Sequence, residues 1–356
     1  MNKNIIVFNS KENFLEPLFE ELKKRNYNFI FLDSIFRDAN TFLGKVAFLI
    51  VLPLLRMIYF FYFLFLNHKY KFEAAILFNL NEKLIFSPLV RVLKKKIIWV
   101  ELPENDFKMK KFFKRLYRMN AKVAKIIVFN EYGKIKLQNL GVKTENIEIV
   151  QPGIKLNQNQ YQENIFSGLV REETKIKNFF TVGTVIDAGR EHNLDTLLQA
   201  IKICAEIIPN IQLIVVSNVP DKKNLNWSAK KMGIDNLVWF VGGEKYSRRW
   251  YDNFEIFIVG NKVLNLRDLE IVLRSMRAGL PVIGPVNRGL EDIVYENKTG
   301  SLIEAQNSEM LARQIIKLYQ DRRLRLRLGQ IAKERVKEFF TIENQIEKFE
   351  ELLLNG

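Results

Sequence analysis

Cysteine and histidine are almost missing from this chain. Its 356 residues hold one cysteine, Cys204, and two histidines, His68 and His192. One thiol cannot close an internal disulfide, and these three side chains do not make a Cys/His zinc site. A reducing cytoplasmic compartment is the natural reading. The opening residues, MNKNIIVFNSKEN, lack the long apolar core of a signal peptide. Acidic residues are in deficit, 40 against 55 Lys and Arg, for a net charge of +15. Such a balance favours anionic partners: phosphates, acidic lipid or nucleic acid. Ten of the basic residues fall between Arg91 and Arg118. That run has neither zinc-finger spacing nor an RNP-like aromatic motif, so nucleic acid is not expected as a partner. Apolar residues are plentiful at 48%, with 28 Phe and 11 Tyr. Large cores are therefore possible and global disorder is excluded. The length fits two domains of about 150–180 residues each.

The pattern along the chain is that of an open α/β protein. Asn4 to Phe8 reads as a buried strand, Glu12 to Arg25 has helical spacing, and Asn28 to Leu32 reads as a second strand. Further strands are expected at 74–78, 97–100, 125–129 and 147–150, with a helix over 131–140 stopped by Gly141. The polar stretch KLNQNQYQ follows, and residues 156–177 read as a linker. Alternation then restarts: strands at 178–182, 212–216, 237–241, 255–259 and 281–284, with helices at 195–208, 225–232, 269–278, 311–319 and 322–338. The expected organisation is a first domain over 1–155 and a second over 178–341. A last helix, 342–356, returns to the first domain. The fold class is α/β, with two Rossmann-like doubly wound domains facing across a cleft.

Val46 to Leu66 is a long apolar run broken by Pro53 and Arg56. Its length approaches the roughly 20 residues that span a bilayer. A span would place strands of one sheet on opposite sides of the membrane. A helix lying in the interface is therefore the favoured reading, with a buried core helix and true spanning as alternatives. Basic residues at Lys45, Arg56, Lys69 and Lys71 suit anionic headgroups. The expected membrane-facing residues are Phe48, Leu52, Arg56, Phe60 and Phe63.

Three segments carry a resemblance: Val128–Ile154 (VFNEYGKIKLQNLGVKTENIEIVQPGI), Phe179–Ile203 (FFTVGTVIDAGREHNLDTLLQAIKI) and Arg267–Glu304, containing RSMRAGLPVIGPVNRGLEDIVYENKTGSL. Together they resemble glycosyltransferase family 4, a retaining family with the two-domain GT-B fold. The first domain is similar in architecture only. Independently of the name, ligands in open α/β sheets sit beyond the carboxyl ends of strands. Gly183 reads as the end of such a strand, with the loop Thr184–Glu191 after it. Arg190 offers a cationic fork suited to a diphosphate, with His192 beside it. Arg267 adjoins a helix N-terminus, where free N–H groups favour phosphate; Asp268 reads as the N-cap of that helix. The resemblance implies donor diphosphate contacts at Gly183, Thr184, Arg190, His192 and Arg267. It implies that Leu266, Asp268, Leu269, Arg274 and Glu291 border the donor ribose and sugar.

The chain departs from the family at a telling place. The two glutamates of the E-x7-E pattern fall on Leu266 and Arg274. Arg274 cannot accept a hydrogen bond. Glu270, one turn earlier, is the candidate catalytic carboxylate, an i,i+4 ion pair with Arg274 being the simpler account. Ser217-Asn218-Val219 and Asn9-Ser10-Lys11 stand where the family has glycine-rich turns. The resemblance implies a retaining transfer of sugar from a nucleotide-sugar substrate, with no metal and no cofactor expected; the apolar run over 46–66 and the basic run over 91–118 suggest a lipid-linked or polysaccharide acceptor. The expected place is the cytoplasmic, anionic face of the cell membrane. The alternative is an inactive relative that binds a partner, lipid or glycan.

Overall fold

The computed structural model describes residues 3–9, 15–33, 42–103, 111–156, 179–186, 194–217, 222–242, 250–260, 264–286 and 289–355. The chain forms two compact units: residues 1–151 with 342–356, and residues 152–341.

The first unit is a six-stranded parallel sheet. Its strands are β1 (Lys3–Asn9), β2 (Tyr27–Asp33), β3 (Ala74–Leu77), β4 (Lys96–Val100), β5 (Lys125–Val128) and β6 (Ile147–Ile149), in the order β2-β1-β3-β4-β5-β6. The helices are α1 (Glu16–Lys24), α2 (Phe42–Tyr70), α3 (Leu80–Val92), α4 (Lys111–Ala121), α5 (Glu131–Asn139) and α11 (Ile342–Asn355). Alternate strand residues point to opposite faces. Ile6, Phe8, Ala75, Leu77, Ile97, Trp99, Ile126 and Val128 therefore share one core with side chains of α2, α3, α4 and α5. Helix α11 joins this unit beside α1: Phe349 meets Phe19 edge-on at 6.2 Å, and Arg25 pairs with Glu350 at 2.7 Å. Lys96 Nζ donates to the carbonyls of Leu353 and Leu354 at 2.8 and 2.6 Å, a cation at the negative end of a helix.

The second unit repeats the plan. Its strands are β7 (Phe180–Ile186), β8 (Ile211–Ser217), β9 (Val238–Val241), β10 (Ile256–Ile258), β11 (Val282–Pro285) and β12 (Gly300–Ile303), in the order β12-β11-β10-β7-β8-β9, all parallel. The helices are α6 (Leu194–Ala205), α7 (Lys222–Met232), α8 (Leu266–Arg277), α9 (Ser308–Gln320) and α10 (Arg322–Phe339). The expected α/β doubly wound class is what the structure has, twice over.

Three elements go beyond the sequence reading. Helix α3 carries LNEKLIFSPLVRV and is buried on nearly every side, so it shows no amphipathic stripe. Helix α4 lies inside the basic run, its buried Phe113, Tyr117 and Asn120 at helical spacing. Strand β12 is four residues at a sheet edge.

Helix α2 is 29 residues long, and its stretch Val51–Tyr70 is apolar enough to cross a bilayer by length and composition, with a mean hydropathy of 1.4. Its orientation corrects the expected membrane-facing set. Leu52 and Phe63 are buried in the core, and Phe60 packs partly against it. Arg56 turns inward, its Nη2 donating to the Leu84 carbonyl at 2.8 Å, and burial holds its guanidinium pKa below the ordinary value. The side chain of Phe48 lies outside the described residues. The face turned outward carries Leu54, Met57, Ile58, Phe61 and Phe65 instead.

Candidate functional site

Strand order locates a crevice in the second unit. From β7 the chain runs outward through β8 and β9, then returns to the other side of β7 at β10. Strand order therefore puts a topological switch point between β7 and β10, which is where doubly wound sheets hold ligands. Residues 187–193, with Arg190 and His192, lie outside the described residues; so do Ser10, Lys11, Asn218, Val219 and most of the expected linker.

Gly183 does not end its strand. Strand β7 continues to Ile186, and Gly183 pairs with Ile214 and Phe257 on its two sides. A Cβ at Gly183 would lie 2.1 Å from Phe254 Cδ2 and 2.3 Å from two more ring atoms. The missing side chain makes room for that ring. Thr184, the next residue, is also buried within the strand. Gly183 was expected at the strand end and Thr184 in the loop after it; both lie inside β7.

Helix α8 starts three residues earlier than its periodicity suggests, because Asn265 caps it. The Asn265 side chain accepts from the Asp268 N–H at 2.7 Å, and Asp268 Oδ2 accepts from the Asn265 N–H at 3.0 Å. Asp268 is thus the third helical residue of a capping box and not the N-cap. The Asn-x-x-Asp spacing was present in the sequence as its signal. Leu266 and Leu269 are 4% and 1% exposed, and their side chains belong to the core. Arg267 stands exposed in the first turn.

Glu270 and Arg274 form the i,i+4 pair. Glu270 Oε1 accepts from Arg274 Nε at 3.0 Å and from Nη2 at 2.5 Å, with both side chains partly exposed. The Glu270 carboxylate is therefore engaged by Arg274.

Glu291 is exposed on a turn anchored by the buried side chains of Leu290, Ile293 and Val294. Arg335 of α10 holds this turn by its backbone. Its Nη2 donates to the Asp292 carbonyl at 2.8 Å and its Nε to the Ile293 carbonyl at 3.0 Å. Its guanidinium lies 3.5 Å from the Tyr295 ring centroid. Gly300 closes the segment where the backbone passes so near that a Cβ would meet the Val282 carbonyl oxygen at 1.9 Å. Arg335 lies more than thirty residues beyond the turn in sequence, and periodicity marks it only as one more helical cation.

The first unit holds a buried polar group at the carboxyl end of β4. Lys83 Nζ lies 2.6 Å from Glu101 Oε1 and donates to the Val100 carbonyl at 2.8 Å. Their side chains are 1% and 4% exposed. The Tyr117 hydroxyl donates to the same Glu101 oxygen at 2.8 Å. Burial, then the Glu101 charge, drives the Tyr117 pKa well above 10.0. Sequence reading passed over all three residues, because Lys and Glu are expected on surfaces. Cys204 is also buried, its thiol pushed up to about 12 by desolvation.

Residues 169–335, within the second unit, match the family model described as Glycosyl transferases group 1. Among curated proteins, N-acetyl-alpha-D-glucosaminyl L-malate synthase of Bacillus anthracis is 24% identical over 219 residues, 58% of this chain and 55% of that protein. The chain spans little more than half the length of the curated relatives it matches first. A solved glycosyltransferase of Rickettsia africae superposes with a TM-score of 0.80 at 12% identity, covering 99% of this chain and 98% of that one. Anabaena Alr3699/HepE, solved in complex with UDP, superposes with a TM-score of 0.75 at 15% identity, covering 99% and 100%. These likenesses show the fold: two Rossmann-like domains of the GT-B type.

Proposed function

We propose that this chain is a glycosyltransferase that moves a sugar from a nucleotide-sugar to an acceptor hydroxyl. The observation that carries the reading is the coincidence of the Glycosyl transferases group 1 match with the sheet whose switch point adjoins the start of α8. Arg267, exposed in the first turn of α8, and Arg190, which follows β7 in sequence, are assigned to the departing diphosphate. His192 is assigned a supporting place beside Arg190. Rate in such a reaction comes mainly from stabilising the charge that develops on the leaving group. One relative is an N-acetyl-alpha-D-glucosaminyl L-malate synthase, and one solved structural neighbour is in complex with UDP; a uridine nucleotide-sugar is accordingly the first donor class to test. The finer reading is retaining, metal-independent transfer of the family 4 kind. The acceptor is lipid-linked or a polysaccharide, met at the cytoplasmic face of the membrane.

The second reading is a non-catalytic relative that binds a glycan, lipid or partner enzyme. It is favoured by one observation: Leu266 is in the core and Arg274 occupies Glu270, so the E-x7-E carboxylates have no direct substitute. Thermal-shift and donor-hydrolysis measurements with UDP-, GDP- and ADP-sugars, with and without EDTA, decide between them. Stabilisation by one donor with slow hydrolysis, lost in Arg190→Ala, is expected of the transferase. Folded protein indifferent to every donor would establish the binding role instead. Anomeric configuration of the product, read by NMR, tests retention.

A further inference from the structure

We propose that the outward face of α2, together with the basic face of α4, docks on an anionic phospholipid bilayer, with α2 lying in the plane of the interface. The proposal deepens the membrane-surface reading above, on which it rests, and does not depend on the transfer chemistry.

One side of α2 is already committed. Leu52, Phe63 and Leu66 are buried, and Phe63 stacks against Phe8 and Phe86 at 5.8 and 5.0 Å. Arg56 is tied to the Leu84 carbonyl from the same helix. A helix crossing a bilayer as a lone span is surrounded by lipid, and reaching that state would strip this face from the core. The inward face therefore sets the orientation: the helix stays on the sheet and offers lipid only its other side.

The other side is apolar and exposed. Leu54, Met57, Ile58, Phe61 and Phe65 follow one another at steps of three, one, three and four, a single stripe on a helix; Phe61 is 67% exposed. At 1.5 Å per residue the stripe runs roughly 17 Å. A contiguous apolar face of that kind marks an interaction site.

Charge identifies the occupant. No Asp or Glu occurs between Phe42 and Phe72, and Lys69 and Lys71 stand exposed at the end of the helix. Helix α4 packs on the same sheet face, its Phe113 and Tyr117 in one core cluster with the inward residues of α2. Its outer surface presents Lys111, Lys114, Arg115 and Arg118, with Phe112 and Met119 exposed among them. Apolar side chains amid cations, with no Asp or Glu in either helix, suit lipid tails beneath phosphate headgroups. A protein partner or a second copy of this basic chain would need a matching acidic rim.

Sedimentation of the full chain with preformed vesicles tests the proposal. Binding to phosphatidylcholine containing one-third phosphatidylglycerol is expected, at least roughly tenfold tighter than to phosphatidylcholine alone and weakened by salt. The exposed double variant Ile58→Glu/Phe61→Glu, shown folded by circular dichroism, is expected to lose more than about tenfold, as is Lys114→Glu/Arg115→Glu. Alkaline carbonate should extract the bound protein. Folded wild type that ignores anionic vesicles overturns the proposal, as does unchanged binding by the Ile58/Phe61 variant. Resistance to carbonate overturns the in-plane orientation. A dimer in light scattering that the same variant splits would assign the stripe to a second copy. Donor hydrolysis in solution is read in parallel; its absence beside intact vesicle binding counts against the transferase reading alone.

Discussion

Replacing Gly183 by alanine puts a methyl group where the Phe254 ring already is. The nearest ring carbon would be 2.1 Å away, about 1.4 Å inside the ~3.5 Å at which carbon atoms rest. Escape is restricted, since Tyr251 stands edge-on to the same ring at 6.0 Å. Overpacking costs about 1–3 kcal/mol, and this geometry belongs at the upper end. For the unit formed by residues 152–341, ~3 kcal/mol corresponds to a fall in melting temperature of about 6–12 °C. Phe254→Leu alone is destabilising, by less than the ~3–5 kcal/mol of a truncation to alanine. Combined with Gly183→Ala it should cost at least ~1 kcal/mol less than the sum, because the two changes compensate at one contact. Calorimetry on the four proteins of this cycle measures the coupling. A Gly183→Ala protein melting within a degree of wild type, or strict additivity, would refute the argument. Below the melting transition the KM for a nucleotide-sugar should be unaltered; a large rise would return Gly183 to the phosphate site.

The remaining expectations concern the buried and anchoring charges. Lys83→Met leaves Glu101 without its ammonium partner and should lower stability by ~3–5 kcal/mol in urea unfolding, with Lys83→Met/Glu101→Leu/Tyr117→Phe, which also removes the hydroxyl that donates to Glu101, recovering most of the loss; equal losses in both would show that the pair is not the cause. Arg335→Lys keeps the charge but cannot serve two carbonyls and a ring together. Amide exchange across residues 289–299 should quicken at least roughly tenfold, corresponding to one or two lost hydrogen bonds, and unchanged exchange would remove Arg335 as the anchor. Tyr117 stays protonated in the folded chain above pH 10, whereas the unfolded chain gives up that proton near 10. The unfolded state then binds fewer protons, so this contribution to stability is intact below pH 10 and is lost as pH rises beyond it. Tyr117→Phe should flatten that alkaline decline, and an identical slope would contradict the assignment.

Much of the architecture was legible because open α/β proteins advertise their strands. NIIVF, AAILF, IIWV and KIIVF are short apolar runs between helical periods, and each is a strand within a residue or two of where the run lies. Helix α3 was illegible for the opposite reason: burial on every side removes the contrast that periodicity needs, and its Asn81, Glu82 and Lys83 look like surface residues. The site was harder still. Sequence can place Gly183 on a strand, but only packing reveals Phe254, seventy-one residues later, in the space beside it. Likewise the apolar run over 46–66 announced a helix, while the direction of each side chain came from the sheet beneath it. That reversed the roles of Leu52 and Phe63 against Leu54 and Phe61.

The return of α11 to the first unit makes that unit discontinuous in sequence: its last helix follows the whole of the second unit. During synthesis the partner of Phe19 and Arg25 is thus absent until about 190 further residues have been added. At ~5–20 residues per second that interval is roughly 10–40 s. Throughout it the first sheet has one face closed by α2–α5 and the other incomplete, while the second unit can finish folding without waiting. The order of completion on the ribosome is therefore the reverse of the order in which the two units begin.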